Sequence, residues 1–249
     1  MSESAIFEIY DGLPRQGPGD NQSTERAFKV LPELPANASI LDIGCGVGMQ
    51  TRQLAKMCED CRITAVDIYQ PYLDTLMKNA TEDGSSEKIT TLCGSMDDLP
   101  LEEQSFDLIW AEGSIFVMGF QKGLEYWKKF LKDGGFMAIT EAAWFTDKPS
   151  EEVFRFWEGC YPDIKTIEEN EKVIETAGYT VIDRFKLPDS AWWDDYYIPM
   201  QERLDRIEDR FKENEEAKSI IEFSRTEIEV FRKHSDEYGY VFFIMKKNQ

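Results

Sequence analysis

The stretch Gly44-Cys-Gly-Val-Gly48 follows directly on the apolar run Ile40-Leu-Asp-Ile43, and a helical pattern through Thr51, Leu54 and Met57 comes next. That order reads as a strand, a glycine turn and a helix. Without Cβ atoms the turn can take positive φ and let a ligand lie against the main chain, while the helix's first turn leaves N–H groups unpaired. A nucleotide-like ligand is the natural occupant. Against the dinucleotide fingerprint G-x-G-x-x-G the first two glycines fit, but Met49 holds the place of the third and Gly48 comes one position early, which weakens an NAD site. Asp42, inside the strand, is too costly to bury idle and should be hydrogen-bonded or held near a cation. About twenty residues past the glycines, Asp67 ends the next apolar run, where a carboxylate can accept from both hydroxyls of a ribose.

Positioning these groups requires alternating strands and helices. Strands are expected at about 39–43, Arg62–Asp67, Lys88–Cys93, Phe106–Trp110, Phe136–Thr140, Thr180–Phe185 and Tyr240–Met245. Helices are expected after an Asn21 or Ser23 cap, at about 48–58, from Pro71 to about Asp83, at Lys122–Leu131 and at Thr166–Ala177, where Gly178 is placed to stop the last of these. A turn at Lys132-Asp-Gly-Gly135 introduces the fifth strand, and Arg15-Gln-Gly-Pro-Gly19 reads as irregular and mobile. Such alternation argues for a parallel sheet covered on both faces.

The chain reads as a single domain, 1–249: an N-terminal lid and first helix at 1–37, a core at 38–187 with a lid insertion at about 144–165, a helical cap at 188–238 and a final strand at 239–249. A formal net charge of −20 disfavours nucleic acid and anionic lipid as partners. No apolar run approaches membrane-spanning length, and the N-terminus lacks a secretory pattern, so the cytoplasm is expected. The five cysteines lack a disulfide framework; Cys58-Glu-Asp-Cys61 reads as a helix end entering the next strand, because no second pair or nearby histidine completes a metal site.

Together, Ile40–Gly48, Ala65-Val-Asp67, Gly94-Ser-Met-Asp-Asp-Leu-Pro100, Phe106-Asp-Leu-Ile-Trp110 and Leu131-Lys-Asp-Gly-Gly-Phe136 resemble the successive motifs of class I S-adenosylmethionine-dependent methyltransferases, most of all the small-molecule branch with the quinone-biosynthesis enzymes. The resemblance covers roughly residues 38–142. It implies a doubly wound, mostly parallel seven-stranded sheet, the Rossmann-like methyltransferase fold, with an antiparallel final strand. It implies that Gly44 and Gly46 lie against the methionine part and ribose of S-adenosylmethionine, that Asp67 holds the ribose hydroxyls, and that Ile68 packs on the adenine. Where the family often reads Asp-Ala after the third strand, this chain has Ser95-Met96, so the ring contact falls to the Met96 backbone or to Asp97. Glu112 is implied to meet the cofactor's ammonium, and Arg15 its carboxylate.

Methyl transfer from a sulfonium to an O, N or S atom is an in-line displacement, with S-adenosylhomocysteine as product, so positioning and desolvation matter most. A base is needed only if the nucleophile must lose a proton; Glu112, Tyr10, Glu141 and His234 are the candidates. Trp144, Phe145, Trp192, Trp193, Tyr196 and Tyr197 lie outside the core strands, near Asp194, Asp195 and Glu141. They either pack the cap or, with Tyr10, form an aromatic and acidic pocket for a cationic small-molecule acceptor. Two rival readings are a non-catalytic protein that binds S-adenosylmethionine or S-adenosylhomocysteine, and an NAD-dependent oxidoreductase.

Overall fold

The computed structural model describes residues 3–248. Eight strands form one sheet: β1 (Ser39–Ile43), β2 (Arg62–Asp67), β3 (Ile89–Cys93), β4 (Phe106–Ala111), β5 (Leu131–Trp144), β6 (Lys165–Thr166), β7 (Tyr179–Lys186) and β8 (Tyr238–Lys247). Seven follow the order β3-β2-β1-β4-β5-β8-β7, and the two-residue β6 pairs with the far end of β5. The pairs from β3 to β5 are parallel, and β8 is antiparallel to both neighbours. This is the mostly parallel sheet with an antiparallel final strand that the resemblance implied, with the short β6 added.

The helices are α1 (Glu3–Tyr10), α2 (Asn21–Val30), α3 (Met49–Met57), α4 (Gln70–Glu82), α5 (Phe120–Trp127), α6 (Glu151–Cys160), α7 (Ile167–Thr176), α8 (Ser190–Trp192), α9 (Ile198–Ile207) and α10 (Glu215–His234). Strand alternation divides the interior between two faces. Ile40, Trp110, Ala138 and Phe242 pack with α2, α3, α4 and the C-terminal helices; Leu41, Ile109, Met137 and Phe243 pack with α5 and α7.

Several boundaries differ from the sequence reading. The 132–135 turn is absorbed into β5, whose ladder with β4 is displaced between Phe106 and Leu108, with Gly134 at φ 72°. Residues 3–10 form a helix that the sequence reading did not assign, because Ala5 and Ile9 are buried against the C-terminal helices. The cap of α2 is Asp20, whose carboxylate accepts the Ser23 N–H at 2.6 Å. Residues 15–19 are not loose either: Arg15 is buried, and the Gly19 N–H donates to the Ala191 carbonyl at 2.9 Å. Cys58 and Cys61 do mark a helix end entering a strand, but their sulfurs are joined as a disulfide. That bridge sits where β2 begins, at the opposite end of the strand from Asp67.

Candidate functional site

The parallel strands β1, β2 and β4 end together, and a crevice of about 190 Å³ opens beyond their carboxyl ends. Its walls include Gly44, Gly46, Gly48, Asp67, Met96, Glu112 and, from the N-terminal segment, Phe7, Arg15 and Gln16. The glycine turn is held down by the Gly44 and Cys45 N–H groups, which both donate to the Val66 carbonyl at 2.8 and 2.9 Å. Two of its glycines are required for different reasons. A Cβ on Gly48 (φ 75°) would stand 2.1 Å from Leu76 of α4, so this residue sets close packing of the first two helices after the turn. A Cβ on Gly46 (φ 54°) would stand 2.4 Å from the Gln16 amide oxygen, which also accepts the Val47 N–H at 2.9 Å. Gln16 therefore covers the turn at the point where a ligand would lie. Gly44 is approached in the same way by the Ser114 side chain.

Asp67 stands at the tip of β2 with one carboxylate oxygen accepting the Gly46 N–H at 2.8 Å and the other the Tyr69 N–H at 3.0 Å. Burial raises its pKa, and these backbone donors oppose that shift. Each oxygen keeps a lone pair for a further donor. Asp42 is fully buried and accepts the Thr51 hydroxyl at 2.5 Å, while its second oxygen has no partner; burial pushes its pKa up to about 7. Ile68 is half exposed next to Asp67. Met96 lines the crevice, whereas Ser95 and Asp97 hydrogen-bond each other on the exposed loop outside it.

Glu112 and Arg15 both reach the crevice, paired with each other. The Arg15 guanidinium donates to Glu112 at 3.0 Å, and Glu112 also accepts from Thr24 at 2.7 Å and from the Trp110 indole at 2.8 Å. Asn21 accepts a second guanidinium hydrogen, and Arg15 Nε is left without a partner.

The other acid–base candidates lie elsewhere. Tyr10 packs on Tyr196, hydroxyl to hydroxyl at 3.4 Å, and burial raises its pKa to about 12. Glu141 is buried on β5, accepts the Tyr161 hydroxyl at 2.7 Å and has a pKa raised by burial to about 8. His234 is not brought to the crevice: Glu237, Glu152 and Ser150 hold it at the C-terminus of α10, where a charged helix end meets α6.

The aromatic residues divide. Trp144 packs among Phe154, Trp157 and Tyr238, Trp192 stacks on Phe231 at 4.4 Å, and the face of Trp193 is already taken by Arg232. These three tryptophans fasten the C-terminal helices to the sheet. Tyr196 and Tyr197 close a π-helical turn, Trp193–Tyr197, and face Tyr10 and Glu227. Asp194 is exposed and Asp195 half-buried; the acid hydrogen-bonded to Tyr197 is Glu227, which the sequence reading did not single out. That reading also missed Phe7, which stacks on Tyr69 at 4.1 Å over the crevice, and Gln16; the only cue was their nearness to Arg15.

Residues 40–135 match the family model described as "Methyltransferase domain". A sarcosine/dimethylglycine N-methyltransferase of Aphanothece halophytica is 32% identical over 137 residues, which are 53% of this chain and 46% of that protein. The chain thus matches less than half the length of that curated relative. A methyltransferase from Geobacter sulfurreducens, solved with S-adenosylhomocysteine, superposes with a TM-score of 0.80 at 18% identity over 97% of each chain. The cyclase SpnF superposes at 0.75 with 19% identity, over 98% of this chain and 92% of that one. Residues 40–135 thus match a methyltransferase domain, and the chain shares the Rossmann-like fold of these solved structures. Because a protein described as a cyclase shares the fold, the reaction has to be argued from the site.

Proposed function

We propose that the protein transfers the methyl group of S-adenosylmethionine to an O, N or S atom of a small molecule. The observation that carries this reading is the glycine turn, Asp67 and the Arg15–Glu112 pair converging at the strand tips within a methyltransferase domain. Gly44 and Gly46 would take the methionine part and ribose, Asp67 the ribose hydroxyls, and Ile68 and the Met96 backbone the adenine. Arg15 and Glu112 form a receptor for the amino-acid end: a carboxylate replaces Glu112 at Arg15 while an ammonium replaces Arg15 at Glu112, so every charge stays paired.

The crevice is smaller than the ~300 Å³ at which small-molecule sites begin. Access therefore requires the segment around Gln16 to withdraw and then to close, which is the lid reading of the N-terminal 37 residues. The cofactor would supply a methyl group on a good leaving group; the chain orients the two reactants and excludes water. Of the four acid–base candidates, Glu112 alone lines the crevice among the described residues.

Calorimetry with S-adenosylhomocysteine and with NAD tests the cofactor, and release of S-adenosylhomocysteine across a panel of amines, phenols and thiols tests the reaction. Binding of NAD alone would overturn the proposal. Tight S-adenosylhomocysteine binding with no turnover on any acceptor would favour the binding-protein reading.

A further inference from the structure

We infer that the methyl acceptor carries an ammonium group and that Glu227 anchors it, an inference that rests on the methyl-transfer reading above. Glu227 lies on the inner side of α10. One oxygen of its carboxylate accepts the Tyr197 hydroxyl at 2.9 Å, and no Lys, Arg or His forms an ion pair with it among the described residues. Glu227 is half-buried, and the partial loss of water around its carboxylate, with no cation to offset the cost, raises its pKa to about 7. An ammonium supplies what the site lacks.

The surroundings fit the same ligand. Tyr10 from α1, Tyr196 and Tyr197 from the π-helical turn, and Tyr238 and Tyr240 from β8 all lie within electrostatic reach of Glu227. Phenol faces attract cations more strongly once desolvated. A further polar atom is buried without a partner, the Tyr238 hydroxyl (residue 0% exposed), and the buried Ser224 hydroxyl, one turn before Glu227 on α10, lies toward Tyr10. A hydroxyl oxygen can accept an N–H beside the Glu227 carboxylate.

The site adjoins the cofactor crevice through Tyr240. Its ring edge lies 3.5 Å from the Cβ position of Gly113, which lines that crevice, and Trp192 braces the ring from the other side at 5.0 Å between centroids. An acceptor held at Glu227 would meet the methyl donor past Tyr240. The π-helical geometry brings Tyr196 and Tyr197 to the same place, a distortion frequent at functional sites.

The test is calorimetry on the full chain saturated with S-adenosylhomocysteine, with benzylamine and its neutral counterpart benzyl alcohol as probes. Benzylamine should bind more tightly than benzyl alcohol. Glu227→Gln, which keeps an acceptor for Tyr197, should weaken benzylamine about tenfold or more while leaving benzyl alcohol unaffected. Unchanged affinity of the variant for S-adenosylhomocysteine certifies its fold. Absent amine binding, equal binding of the two probes, or amine affinity that survives Glu227→Gln overturns the anchor while leaving the cofactor reading intact. Failure of S-adenosylhomocysteine to bind the parent protein overturns the cofactor reading, and the anchor with it.

Discussion

Arg15 and Glu112, 97 positions apart in the chain, meet as an ion pair of 3.0 Å with side chains only 5% and 3% exposed. The pair ties the N-terminal segment to the tip of β4, so the same contact governs stability and access to the crevice. Removing one partner strands the other in a dry site. Arg15→Met should cost about 3–5 kcal/mol in urea unfolding, and Arg15→Met with Glu112→Gln should cost less than the sum of the two single changes. Additive losses would show that the two charges do not interact.

Asp67 offers its remaining lone pairs at the tip of β2, where a ribose would sit. Asp67→Ala should weaken S-adenosylhomocysteine about tenfold or more in calorimetry, since two hydrogen bonds to a charged acceptor are lost. Equal affinity in parent and variant would remove Asp67 from the ribose role.

The glycines of the turn should respond unequally. Gly48→Ala sets a methyl group against buried Leu76 at positive φ and should destabilise by about 2–4 kcal/mol, from overpacking and backbone strain together. Gly46→Ala meets only the flexible end of Gln16, so its thermal stability should fall less while cofactor affinity falls more. Thermal unfolding with and without S-adenosylhomocysteine separates the two effects.

Glu141 imposes a pH dependence. Its folded pKa, about 8, is raised above the ordinary carboxylate value of 4.5, so the folded state keeps a proton that the unfolded chain releases. Stability from this group is complete below about pH 4.5 and declines as pH rises to about 8. Glu141→Gln should flatten that decline, gaining on the parent protein by a few kcal/mol across the window, as measured by denaturant titrations at stepped pH.

Much of the cofactor half was legible because it is local. Ile40–Gly48 and Ala65–Asp67 declare strand, turn and strand tip by composition alone, and the crevice assembles from them with little help. What was illegible depends on partners distant in sequence. Glu227 looks like Glu222 or Glu229 on a charged helix until Tyr197 is found against it, and Arg15 looks like a solvated loop charge until Glu112 arrives. Residues 3–10 are a short amphipathic segment whose helicity comes from packing, which local pattern does not report. The tryptophans misled for the opposite reason: a large ring suits a core seam as well as a ligand, and Phe231 and Arg232 had already claimed Trp192 and Trp193.

The place of β8 has a consequence for biosynthesis. It is the last of these eight strands in the sequence, yet it lies between β5 and β7 and pairs with β5 from Phe136 opposite Lys246 to Trp144 opposite Tyr238. While the ribosome is still extending the chain, β5 therefore shows a long apolar edge with its backbone groups open, and β7 has no neighbour in the sheet. The sheet closes only after Tyr238–Lys247 has emerged, so the nascent chain passes through an aggregation-prone interval in which chaperone shielding of β5 would matter most.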